Sequence, residues 1–360
     1  MAKRFVLGWF LPLFLTGCTL IPPTIVNEIN MAQGVGYDLA SGNKIKETIV
    51  FPIFKKDKSS STEIKAGIGQ SSKEIRALIN NETRYPLVSG QLRLALYGKS
   101  LSKKGINDFV DTLNRDPSIG SLVQMAIVEG DSSDLLMTEK FKTENISIFI
   151  QELLDQNMVS GQLPRTNLQS FLFQFSQVGQ DPYLPLIKKE KDSVKINGLA
   201  IFKDDRFVTS LSLDDQFIFK GMVDTYKHGL HQFILSNGEK VVLDILHSNA
   251  KYKVKIVNGR PVFTIHLKMK TRLQEFSSPK KQRVPINKQK IQKGVEQILE
   301  KSTLKMVSRF KDHQVDPIGL GAKYKEHYRK FNEKSWNLIY PQVKVLVHAK
   351  VEIKQTGIVE

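Results

Sequence analysis

Cysteine is almost missing. The chain has 360 residues and a single cysteine, Cys18, inside the stretch FLTGCTL at 14–20. A body without thiols holds no disulfides, binds no structural zinc through thiolates and has no cysteine nucleophile. Its stability must therefore come from size and packing. Long apolar runs are missing too: beyond residue 17 none approaches the ~20 residues that a membrane-spanning helix needs, so no transmembrane helix is expected in the mature chain. The sequence has no HExxH, no GxSxG turn and no Walker spacing. Acidic residues are the scarcer sign, 36 against 53 Lys and Arg, which gives a formal charge of +17. An excess of that size fits three readings: nucleic acid, an anionic membrane surface, or lysines that merely solvate the surface.

What is present starts with Lys3 and Arg4, followed by a nearly unbroken apolar run from Phe5 to Leu15 and small residues just before Cys18. That is the layout of a secretory signal, and it is too short to span a bilayer unaided. The Leu15-Thr16-Gly17-Cys18 ending resembles the bacterial lipobox. In a lipobox, cleavage makes the cysteine residue one, and its thiol and amine carry lipid. Residues 1–17 are accordingly assigned to a lipoprotein signal peptide and Cys18 to lipidation. Cleavage removes 17 of the 360 residues and leaves 343, and the loss of Lys3 and Arg4 takes the charge from +17 to +15. An exported, tethered body meets lipid headgroups and rarely meets nucleic acid.

The mature chain is long enough for two or three domains, and its 41% hydrophobic and 25% charged residues are those of a globular protein. Pro22-Pro23 suits a stiff tether. QGVGYDL and KETIVFPIF, separated by LASGNK, read as an early hairpin, and FKKDKSSSTEIKAGIGQ reads as a polar loop. From Ser71 to Glu129 helical spacing (Ile75, Leu78, Ile79; Ile106, Phe109, Val110, Leu113) alternates with strands at 92–96 and 123–128. NISIFIQELLDQNM reads as a further amphipathic helix. Pro182, Pro185 and the following charge run mark a boundary or crossover, and 199–202 with 206–210 form a hairpin turned by Asp204-Asp205.

The last third is the clearest. Lys251, Lys253 and Lys255 alternate with Tyr252, Val254 and Ile256, Asn258-Gly259 is a hairpin turn, and His266, Lys268 and Lys270 alternate with Ile265, Leu267 and Met269. A long helix follows, carried by Ile291, Val295, Ile298, Leu299, Val307 and Phe310. KYKEHYRKFNEKSW reads as a second helix. A closing strand then sets Val343, Val345, Val347, Ala349, Val351 and Ile353 against Lys344, His348, Lys350 and Lys354. The expected fold class is α+β, with several mixed or antiparallel sheets each covered by helices, and with one lysine-rich sheet face in solvent. The expected division is an N-terminal α+β region at 18–194, with room for two subdomains, and a C-terminal α+β domain at 195–360.

Candidates for chemistry are few. Of seven histidines only His228 and His231 could share a helix face, so no metal site is assigned. Gly319-Leu320-Gly321 with Lys323 lacks the glycines and spacing of a phosphate loop and reads as the start of a helix after Pro317. Asp204-Asp205 and Asp214-Asp215 sit where Asp favours turns. No catalytic residue, cofactor or nucleic-acid site is assigned, since the basic strands offer few exposed aromatics for stacking bases.

In order and spacing, the lipobox ending, QGVGYD at 33–38, GKSLSKKGINDFVDTLNRDPSI at 98–119, INGLAIFKDDRFV at 196–208, DPIGLG at 316–321, Trp336 and VEIKQTGI at 351–358 carry a resemblance. The chain resembles the C-subunit lipoproteins of spore nutrient germinant receptors, the Ger(x)C family, over essentially its whole length. Thr19-Leu20 stand where many members have Trp-Asp. The resemblance implies a fold of three α+β domains without catalytic residues, in which residues 195–211, with the hairpin at 199–210, can return to complete the N-terminal sheet. It also implies a lipid-anchored subunit at the outer face of the spore inner membrane, working with two integral membrane receptor subunits in germination. The basic surface would add contact with membrane lipid. The rival class is a solute-binding lipoprotein that hands a small ligand to a transporter; it requires two similar lobes, and no duplicated pattern is present.

Overall fold

A computed structural model describes residues 28–54, 60–138, 145–279, 286–328 and 331–356. The signal segment and Cys18 lie outside the described residues. The first elements are β1 (Asn30–Met31), β2 (Gly34–Leu39), β3 (Ile45–Phe54), β4 (Ser60–Gly69), α1 (Ser72–Asn80), β5 (Leu87–Val88) and β6 (Leu94–Gly98). Then come α2 (Lys99–Lys104), α3 (Asn107–Arg115), β7 (Gln124–Val128), α4 (Ser132–Leu136), α5 (Ile146–Val159) and α6 (Leu168–Ser176). Strands β8 (Tyr183–Glu190), β9 (Ser193–Lys203) and β10 (Arg206–Leu211) follow. The order of the large sheet is β10-β9-β8-β7-β6-β2-β3-β4. Its centre, β2, β6, β7 and β8, is parallel, and antiparallel hairpins close both edges.

Central parallel strands must be buried on both faces, and LALYG and QMAIV are buried at every position. Helices α1, α2, α3 and α6 cover one face around Tyr37, Tyr97, Met125 and Phe202. Helices α4 and α5 cover the other, around Leu94, Leu96 and Ala126. Residues 193–211 thus complete one edge of the N-terminal sheet.

The second sheet contains β11 (Leu230–Ile234), β12 (Lys240–Val257), β13 (Arg260–Ser277) and β14 (Lys344–Thr356), in that order. Asn258 (φ 50°) and Gly259 (φ 75°) turn the long β12–β13 hairpin, a pair that needs positive φ twice. β14 returns parallel to β13, after α8 (Lys288–Asp312), α9 (Leu320–His327) and α10 (Glu333–Ile339). One face of this sheet packs on α8. Gln292, Glu296 and Glu300, one per helical turn, accept the backbone N–H groups of Ile353, Val351 and Ala349 at 2.9–3.0 Å. The open edge of β14 is thereby blunted by side chains, as exposed edges must be. Helix α7 (Leu213–Val223) lies between the sheets: Phe219 meets Tyr183 of β8 at 4.9 Å and Phe310 of α8 at 6.0 Å, so one apolar cluster runs through both halves. Among the described residues no helix is long and apolar enough to cross a membrane.

Three local readings change. The supposed loop at 54–70 contains β4, which pairs with β3 over ten positions, and Gly67 and Gly69 leave room there for Ile75 of α1. Cross-strand pairing and a helix packed directly on the strand outweigh its serine-rich composition. The supposed crossover after Pro182 is the β8–β9 hairpin, turned at Lys191 with φ 54°. KYKEHYRKFNEKSW does not make one helix: α9 stops as Tyr328 turns extended (φ −129°), and α10 begins with Asn332 accepting from Ser335 N at 3.1 Å.

Candidate functional site

The segments that carry the family resemblance are scattered through the fold, and among the described residues four of them, at 33–38, 98–119, 196–208 and 316–321, contribute to structural joints. Asp38 is 2% exposed and accepts from Ser132 N, Ser133 N and Ser132 Oγ at 2.6–2.9 Å, which holds the start of α4. Asp205, in the β9–β10 turn, accepts from Asn107 N at 3.1 Å and so fastens that turn to the start of α3.

The firmest joint connects the two halves. Asp181 accepts from Asp316 N at 2.6 Å and from Asp204 N at 3.3 Å, and Lys203 Nζ lies 3.3 Å away. Asp316 accepts from Leu320 N at 3.0 Å and Gly321 N at 2.8 Å, the first backbone donors of α9. The Gly-Leu-Gly segment therefore has its donors occupied by Asp316: Gly319 N donates to its backbone carbonyl and the other two to its carboxylate. Ala322 N donates to Gly179 O at 2.9 Å, and a Cβ on Gly321 would sit 2.5 Å from Trp336 Nε1 and 2.8 Å from Gly179 Cα. Only glycine permits that approach. Burial pushes Asp316 up to about 7 against the downward pull of its two N–H bonds, and burial raises Asp181 as well.

The remaining candidates behave as packing groups. His231 stacks on Phe217 at 3.7 Å, and burial lowers it to about 4, so the ring is neutral near pH 7. Lys220 is 2% exposed, donates to Met158 O at 2.9 Å, lies 4.7 Å over the Tyr226 ring, and is pushed down to about 8 by burial. Asp215 pairs with Arg309 at 3.5 Å beside the cap that Ser212 places on α7. Among the described residues no three His, Cys, Asp or Glu side chains converge as metal ligands.

What remains for contact with a partner is the open face of the second sheet. Pairing registers arrange it in rows across β12, β13 and β14. From the hairpin turn inward the rows are Lys255, Val262, Lys344; then Lys253, Thr264, Leu346; then Lys251, His266, His348. Further along come Asn249, Lys268, Lys350; His247, Lys270, Glu352; and Asp244, Arg272, with an ion pair of 3.4 Å between the last two. The lysines are all exposed. His266 and His348 stack at 5.5 Å, and His266 is held below its ordinary value by desolvation first and then by Lys253, His348 and Lys268.

The spore germination protein N-terminal domain matches residues 23–189, and the spore germination B3/GerAC-like C-terminal domain matches residues 197–357. The chain belongs to the GerAC-like family of spore germination proteins. It is 32% identical over 360 residues to spore germination protein GerQC of Bacillus cereus, covering 99% of this chain and all of that one. It is 22% identical to spore germination protein B3 of Bacillus subtilis, covering 94% of this chain and 91% of that one. In fold it is similar to the crystal structure of the GerBC protein, with a TM-score of 0.60 at 18% identity over 90% of this chain and 97% of that chain. In this chain the fold is tied together by joints at Asp38, Asp205, Asp181 and Asp316. Sequence inspection marked the segments but not their role, because partners such as Asp181 and Asp316 are 135 residues apart.

Proposed function

We propose that this chain is a non-catalytic, lipid-anchored subunit of a nutrient germinant receptor complex required for spore germination. Lipid on Cys18 holds the body at the outer face of the spore inner membrane, and the body assembles there with two integral membrane subunits. The observation that carries this reading is full-length similarity to a spore germination protein, with both halves matched to the family's two domains in order. The carboxylates are occupied as structural caps, which fits a scaffold better than an enzyme. On this reading the two working units are an N-terminal one that ends with β10 and a C-terminal one that begins with α7. Two sheets of eight and four strands are not the paired lobes that a solute-binding lipoprotein requires.

The test is co-purification from detergent-solubilised spore inner membrane. Two polytopic receptor subunits are expected with the parent chain and neither with Cys18→Ala. Recovery of transporter components instead, or membrane fractionation and germination unchanged in Cys18→Ala, would refute it.

A further inference from the structure

The basic face is not uniform along its length. Its carboxylates, Asp244 and Glu352, occupy the rows farthest from the hairpin turn, while the rows nearest the turn contain lysine and no acid. Apolar side chains are exposed beside the Asn258-Gly259 turn: Ile256 and Val257, which precede it, are about half exposed, and Leu338 of α10 is 77% exposed. Val257 and Ile339, the residue after Leu338, line one surface depression of ≈ 390 Å³ together with Arg260 and Lys344. Single exposed apolar residues are ordinary on a protein surface. A group of them at a hairpin tip, ringed by lysines, is not.

We propose that this end of the second sheet docks on an anionic lipid bilayer, with Ile256, Val257 and Leu338 entering the boundary between headgroups and acyl chains and Lys253, Lys255 and Lys344 meeting lipid phosphates. This rests on the membrane-anchored reading above and adds a second contact to it. The bilayer interface takes apolar tips and ammonium groups together, because lysine stems lie along the apolar layer while their charges stay in the headgroups. Lysines repeated about 7 Å apart along one sheet face spread their charge over a surface, which matches a fluid anionic layer. The gradient of charge toward the tip sets the direction of approach.

The test uses the full chain, purified from a host that processes lipoproteins and placed in vesicles whose lipids carry brominated, indole-quenching acyl chains. Flotation reads the anchor and quenching reads the tip. Val257→Trp is expected to be quenched beyond the parent chain in phosphatidylglycerol vesicles and less in pure phosphatidylcholine. Reversing Lys253, Lys255 and Lys344 to Glu should return it to the parent level. Val159→Trp, at a still more exposed site on α5, should not be quenched. If the chain floats but the indole at 257 is not quenched, the docking tip is wrong and the anchor stands. If the chain does not float, the anchor itself fails. If the indole is shielded only when the integral membrane subunits are present, the surface binds protein and the lipid proposal is overturned.

Discussion

The eight-stranded sheet is buried on both faces, whereas the four-stranded sheet packs α8 on one face and leaves the other in water. The difference decides what a charge does in each place. Within the first sheet and its junction, buried carboxylates take fixed partners: backbone donors at Asp38, Asp181 and Asp316, and the Arg76 guanidinium, 3.1 Å away, at Glu47. On the open face, charges need no partner, and like charges stand side by side: Lys268 lies directly beside Lys350. Burial turns charge into architecture, and exposure leaves it free to meet something else.

Removing a buried carboxylate is the severest way to test that contrast. Asp38→Ala strands two backbone donors and a hydroxyl, and Asp316→Ala strands two backbone donors at the start of α9. Each unsatisfied buried group costs about 1–3 kcal/mol, so each variant should lose about 3–5 kcal/mol. The measurement is the shift in urea midpoint. A loss within the range of an ordinary surface substitution would mean that these carboxylates are not joints.

A gentler probe of the junction is pH. Asp316 titrates near 7 in the folded chain and at the ordinary 3.8 when exposed, so the folded state binds more protons between those values. The stability it contributes is complete below 3.8 and is lost as pH rises through about 7. Asp181 is shifted in the same direction and adds to that slope. Melting temperature should therefore fall across this window, and Asp316→Asn, which cannot titrate, should flatten part of the fall. Equal slopes in the two proteins would detach the junction from the pH response.

How far sequence reached into this structure follows the same line between exposed and buried. The open face was legible over 251–270 and 343–354, where one side in solvent imposes alternation; it was not legible over 240–249 or 271–277, where register shifts at Val242/Leu243 and Ile245/His247 interrupt the alternation. β4 was missed because its pairing with β3 and its contact with α1 compensate for a polar composition that reads as a loop. The Asp181–Asp316 joint left no local signal at all. GQDP and DPIGLG each look like turns, and only the folded chain brings them within 2.6 Å.

The smallest expected effect is the sharpest test of why the open face is basic. Lys268 and Lys350 are opposed in register, with His266 and Lys270 next along the strand. Opposed like charges on a sheet destabilise it by a fraction of a kcal/mol, and an opposite pair is favourable by a similar amount. Lys268→Glu should therefore stabilise the chain by about 0.5 kcal/mol at low salt, and the gain should shrink as added salt screens the pair. The same substitution takes two units of charge from the face and should weaken tip quenching by phosphatidylglycerol vesicles. A chain that keeps a repulsive ladder where one substitution relieves it is giving up stability for contact with an anion. Stability gained without any loss of vesicle contact would instead make the lysines a solvated surface, and the contrast between the two sheets would be one of exposure alone.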